Sequence, residues 1–248
     1  MAQLPIVPAP RTLVAHFVVV DPRKPALPGA YQEIGPEHPV MPDPGVLARS
    51  GADPAALTRA AASRHLLVTR SGPAGGAAHL IVARDDAAAL AAATGGVLLD
   101  PALARFAEIP ARVRPAIPLR AGSAAPAAVR AFVPGEWIRI MGTPAADGLA
   151  LTTLGLTRLG APELRVAGLP PYLGQAWARL LHTLAGLLVP ALWRDPAALP
   201  GEFVLDGEPV GLRYADGALT PVPPPGFTGA EQSWRTHLAT ALFPAARS

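Results

Sequence analysis

Residues whose types could do chemistry are sparse in this chain and gather at two places. Ser71-Gly-Pro-Ala-Gly-Gly76 falls between a run of strand formers and a helical stripe. In such a loop, backbone amides and the helix dipole can bind an anion such as a phosphate. Ser71, Gly75 and Gly76 are therefore candidate ligand-binding residues. The loop is neither G-x-G-x-x-G nor a P-loop, since no Gly-Lys-Ser/Thr follows it, and a plain turn is the simpler reading. Asp100 is the other candidate. It closes the apolar run Val97 to Leu99, at the strand end where open sheets place a catalytic carboxylate. Followed by Pro101, it is an equally good helix cap, and the cap is the simpler reading.

Other constellations are weaker. Asp85 and Asp86 are adjacent on a helical pattern and so point about 100° apart, which does not make a paired acid and base. The six histidines, at 16, 38, 65, 79, 182 and 237, have no H-x-x-x-H or H-E-x-x-H spacing, and G-x-S-x-G is absent. Cysteine is absent too, which removes disulfides, thiolate nucleophiles and Cys-ligated metals. No metal and no cofactor is expected. Arg105, Arg112, Arg114, Arg120, Arg130 and Arg139 face only Glu108 and Glu136 in the same interval and could track phosphates. They lack interleaved aromatics or a recognised reader motif, so nucleic acid is not the favoured partner.

The elements that would position these residues follow from periodicity. Thr12 to Val20 alternates on both sides of His16 and reads as a central strand. Asp21 to Gly45 is proline-rich, with no helix expected. Tyr31, Ile34, Val40 and Met41 give that passage something to bind with and make it a candidate partner-contacting arm; the alternative is an irregular wrap over the protein's own core. Asp53-Pro54 starts a helix, with Asp53 as its cap, His65 to Thr69 is a strand, and Ala77 to Thr94 carries the stripe Leu80, Ala83, Ala87, Leu90, Ala91. The order strand, helix, strand over 65 to 99 suggests a right-handed crossover pairing two parallel strands.

After residues 108 to 135, which hold no strong period, the second half begins at Trp137 to Met141, and Gly142 to Gly148 has the composition of a hairpin loop. A bulged strand is expected from Leu149 to Leu156, with Gly155 at the bulge, then a turn at Gly160-Ala-Pro162 and a short strand around Leu164 and Val166. A long helix carries Trp177, Leu180, Leu181, Leu184, Leu187 and Leu188 on one face and is broken near its end by Pro190. Gln175, Arg179 and His182 interrupt it at one-turn intervals, so a core helix rather than a membrane span is expected. Three short strands within 203 to 222 form a meander, and Thr228 caps a last helix.

The fold class expected is α+β: a mixed β-sheet with packed helices, two lobes and an antiparallel second half, in one compact domain with a possible lobe boundary at 108–135. The stretch Gly155-Leu-Thr-Arg-Leu-Gly-Ala-Pro-Glu-Leu164, between a strand and a short strand followed by a leucine-rich helix, resembles uncharacterised bacterial α/β domains of unknown function over residues 137–190. The resemblance implies a bacterial cytosolic protein with a mixed sheet and carries over no functional residue.

Composition points the same way. Ala, Pro and Arg are heavily used and Lys24 is the only lysine, as in a GC-rich bacterial genome. The N-terminus has no basic segment before its apolar run, and an unexported, cytoplasmic protein is expected. Charged residues make up 16% of the chain, against about 25% in typical soluble domains. A subunit that hides surface against a protein partner or another copy of itself would show this balance. The function expected is therefore a non-catalytic binding or assembly subunit. The alternative is an enzyme or ligand-binding protein with a phosphate or other small-molecule site near Ser71–Gly76 and Asp100.

Overall fold

A computed structural model describes residues 12–24, 29, 31–73, 76–107, 132–195 and 199–244. The chain is an α+β protein whose contacts divide it into two compact units, one within Thr12–Ala131 and one within Phe132–Ser248.

In the N-terminal unit the elements are β1 (Thr12–Val20), β2 (Tyr31–Ile34), α1 (Pro44–Arg49), α2 (Pro54–Ala60), β3 (His65–Pro73), α3 (Ala78–Thr94), β4 (Val97–Asp100) and β5 (Arg105–Phe106). They form one sheet in the order β2-β3-β1-β4-β5. β1 is central, as its apolar run predicts, but the expected parallel pair is not adjacent. β1 lies between β3 and β4 and pairs antiparallel with both, so the β3-α3-β4 crossover spans an inserted strand. The apolar run Phe17-Val-Val-Val20 can be buried on both faces and therefore takes the middle of the sheet, where β3 and β4 would otherwise meet.

Leu80, Ala83, Ala87 and Ala91 of α3 are buried. Alanine at these positions lets the helix sit close to the sheet. On the opposite face Val18, Val20, Ile34, Leu47, Leu67, Leu99 and Ala104 form a buried cluster, closed by Val40, Met41, Val46, Leu57 and Phe106. The proline-rich passage thus contains a strand, and a helix begins at its end. Pro44 occupies the first turn of α1, where its missing N–H costs nothing, and the Asp43 carboxylate accepts from the Gly45 and Val46 amides. Asp53 stands at the cap position of α2 but makes no side-chain cap bond.

The C-terminal unit contains α4 (Pro134–Trp137), β6 (Arg139–Ala145), β7 (Gly148–Leu154), β8 (Glu163–Leu169), α5 (Gly174–Arg194), β9 (Glu202–Leu205), β10 (Glu208–Ala215), β11 (Ala218–Val222) and α6 (Glu231–Leu242). Its six-stranded sheet runs β6-β7-β8-β11-β10-β9. The meander β9-β10-β11 is antiparallel as expected, but β11 joins β8 in parallel, so the second half is a mixed sheet rather than an antiparallel one. The expected loop from Gly142 is strand as far as Ala145, and the β6-β7 hairpin turns on Ala146-Asp147 alone. Gly148 makes this possible. Its φ is +134°, and a Cβ there would lie 2.5 Å from the Leu169 carbonyl oxygen.

α5 packs on β6, β7 and β8 and buries Trp177, Leu180, Leu181, Leu184 and Leu188. The span Pro171–Arg194 is long and apolar enough to cross a membrane by length and composition; its leucine stripe is used here as core. Pro190 does not break the helix, which continues to Arg194. Proline removes one backbone bond, and buried Leu188, Val189 and Leu192 hold the turns on either side of it. α6 begins at Glu231 with Ala230 at its cap position, so Thr228 lies upstream of the helix it was expected to cap.

Candidate functional site

Ser71 lies inside β3, not in a loop. Its backbone is opposite Val14 of β1, and its side chain is exposed. Gly76 precedes α3, whose cap residue Ala77 offers no side-chain bond; Gly75 lies outside the described residues. Asp100 ends β4 and is 3% exposed, and its Oδ1 accepts from the Leu103 amide at 3.3 Å, closing the turn Pro101–Ala104. It caps this turn rather than a helix. Ser71 is level with Val14 on one side of β1, whereas Asp100 follows Leu99, the partner of Val18, on the other. Directly opposed residues share a face and successive residues alternate, so Ser71 and Asp100 point to opposite faces of the sheet. The structure does not bring them together.

Among the four residues of the proline-rich passage, Ile34 is buried and Val40 and Met41 pack against the same internal cluster. Tyr31 is half-buried, paired through its backbone with Val68. The passage wraps the unit's own core with three of its four candidate contact residues.

The N-terminal histidines are held structurally. His65 is fully buried: its Nδ1 accepts from the Asp21 amide at 3.3 Å, and its Nε2 lies 3.2 Å from the Ala60 carbonyl. Burial lowers its pKa, with the backbone carbonyls and the Asp21 carboxylate pulling back. His16 Nδ1 is 3.1 Å from Thr69 Oγ1, and burial followed by the nearby His38 lowers its pKa as well. Arg70 pairs with Asp86 of α3, whose pKa burial raises against the pull of that guanidinium. Among the described residues no group of three or more His, Cys, Asp or Glu could hold a metal ion.

A different feature stands out once registers are followed across the six-stranded sheet. Met141 of β6 is opposite Thr152 of β7, and Thr152 is opposite Arg165 of β8. The parallel register Ala218 to Glu163 and Leu219 to Leu164, continued one step, sets Thr220 of β11 beside Arg165; Thr220 is in turn opposite Arg213 of β10. These five side chains share one face. Their sequence neighbours Leu151, Leu164, Val166, Leu212, Leu219 and Pro221 are buried on the face that packs against α5. On the open face Met141, Thr152 and Thr220 are half-exposed, and Arg165 and Arg213 are exposed. Neither guanidinium makes a hydrogen bond or ion pair among the described residues. Their Cα atoms are two strand spacings apart, roughly 10 Å.

Alternation in Glu163 to Ala167 already marked Arg165 as pointing away from the core. What periodicity could not supply was the β8–β11 adjacency, made by a connection through α5 and two further strands, that sets Arg165 and Arg213 in one row. No protein-family model, no curated protein and no solved structure matches this chain.

Proposed function

We propose that this protein is a non-catalytic binding or assembly subunit of a bacterial cytosolic complex, of the α/β kind that residues 137–190 resemble, working through protein contacts. The observation that carries the reading is the open face of the six-stranded sheet, with two exposed, unpaired arginines in a row of half-exposed Met and Thr. The exposed face sets apolar Met141 and Val204 beside polar and charged groups, the mixed composition that protein contacts use. The rival small-molecule or phosphate site needs Ser71 and Asp100 together, and they lie on opposite faces of the N-terminal sheet.

Size-exclusion with light scattering on the purified chain, followed by crosslinking and mass spectrometry in native lysate, tests the proposal. An assembly larger than one chain, or a reproducible crosslinked protein, is the expected result. A monomer with no crosslinked protein would sink it.

A further inference from the structure

We infer that the open face of the six-stranded sheet docks an acidic protein segment, with Arg165 and Arg213 each receiving a carboxylate on either side of Thr220. This rests on the protein-binding reading above and names the chemistry of the partner.

Two cations with no counter-charge among the described residues stand in one row, with a hydroxyl between them. An unpaired guanidinium presents a planar fork of donors that matches a carboxylate bidentately. The roughly 10 Å between the two Cα atoms suits two separate acidic side chains rather than one shared anion. The rest of the face argues for protein rather than nucleic acid. Its contact groups include Met141, Thr143, Thr152, Thr220 and, on β9, the 62%-exposed Val204, with Glu202 on that same edge strand and Glu163 held by its own turn. The row holds no aromatic ring on which a base could stack. A partner with acidic groups at the centre and apolar contacts around them matches all of these features.

The test uses the full chain and a fluorescein-labelled oligoglutamate peptide, with a single-stranded RNA of matched charge and inorganic phosphate as separate arms, read by anisotropy and competition at low and at physiological salt. The wild-type chain is expected to bind the peptide in a salt-sensitive way. Arg165→Glu with Arg213→Glu should weaken binding by about tenfold or more, as expected for losing two charge-assisted contacts. Arg179→Glu with Arg194→Glu makes the same charge change on exposed positions of α5 and should leave binding within about twofold. Arg165→Gln and Arg213→Gln remove charge at exposed positions without reversing it. They keep the test valid should the double reversal fold poorly, as judged by tryptophan emission.

The inference would be overturned by no peptide binding at low salt, by equal loss in the α5 control pair, or by RNA bound more tightly than the peptide. Phosphate competing at concentrations comparable to the peptide would also overturn it, as the mark of a single-anion site. If lysate crosslinks show a protein partner seated away from this face, only the acidic-docking inference falls. If they show no partner at all, the protein-binding reading falls with it.

Discussion

The N-terminal sheet is covered on both faces around Val18 to Val20, whereas among the described residues helices cover the C-terminal sheet on one face only. The strand sequences explain the contrast. Phe17-Val-Val-Val20 has no polar position, so each face of β1 there needs a cover; α3 supplies one, and α1, α2 and the proline-rich passage supply the other. Leu164-Arg-Val166 and Leu212-Arg-Tyr214 alternate, so each strand buries one face, β8 against α5, and the arginines need only water on the other. An unbroken apolar run calls for two layers of cover. A period of two leaves a face available for something else.

The largest effect is expected at the centre of the covered side of the C-terminal unit. Trp177 is fully buried, stacks edge-to-face on Trp234 at 5.8 Å and donates its indole N–H to the Arg235 carbonyl at 3.3 Å. Trp177→Ala should cost about 3–5 kcal/mol in the unfolding of that unit. All four tryptophans of the chain, at 137, 177, 193 and 234, belong to this unit, so emission in a urea titration reads it selectively. A loss under about 1 kcal/mol would mean that α6 does not close the core there.

Next in size is the test of the covering passage. Ile34→Ala should destabilise the N-terminal unit by about 2–4 kcal/mol, because the side chain is 5% exposed inside the cluster with Val18, Val20, Leu47 and Leu67. Amide exchange at Val18 to Val20 measures it. If exchange there is unchanged while a protein contact is lost, Ile34 belongs to an interface and the contrast between the two sheets collapses.

Strand and helix identities were legible where one period ran unbroken: β1, α3, α5 and the β9-β10-β11 meander all fall where periodicity puts them. Adjacency was not, because the insertion of β1 between β3 and β4, and the meeting of β8 with β11, depend on contacts between segments far apart in sequence. Glu163 shows the same limit at one residue. In sequence it is an outward position on a short strand. In the fold its carboxylate accepts from the Thr153 hydroxyl at 2.7 Å and from the Gly155 and Thr157 amides at 3.0 and 3.1 Å, pinning the turn that joins β7 to β8. Gly155, read as a bulge, follows β7 with φ +104° and donates its amide to that carboxylate. Glu163→Ala leaves those amides without their acceptor and should cost about 1–3 kcal/mol in the tryptophan-monitored transition. No change would show that the turn holds itself through Gly155 and Gly160 alone.

The smallest effect separates the units by pH. His65 accepts from the Asp21 amide at Nδ1, so its proton sits on Nε2 and is donated to the Ala60 carbonyl. A second proton would set N–H against N–H in a fully buried site. Burial holds the folded pKa of His65, and likewise of His16, below the ordinary 6.5 of an imidazole. In the window below 6.5 the unfolded chain therefore binds more protons than the folded one, and the stability present at neutral pH is lost as pH falls toward the folded values. Asp86 acts in the opposite sense at lower pH. Its folded pKa is raised, so the cost of keeping it ionised is relieved on acidification through the carboxylate range. Between about pH 7.5 and 5.5 the histidines should prevail, because their ordinary pKa lies inside that interval and a carboxylate's lies below it. Protection at Val18 to Val20, the exchange rate referred to that of an open amide at the same pH, should fall over this interval, while the urea midpoint read by tryptophan emission moves less. His65→Gln should flatten the pH slope of that protection, though at a lower stability. If both probes shift together, or if the slope survives in the variant, the pH response does not originate in His65.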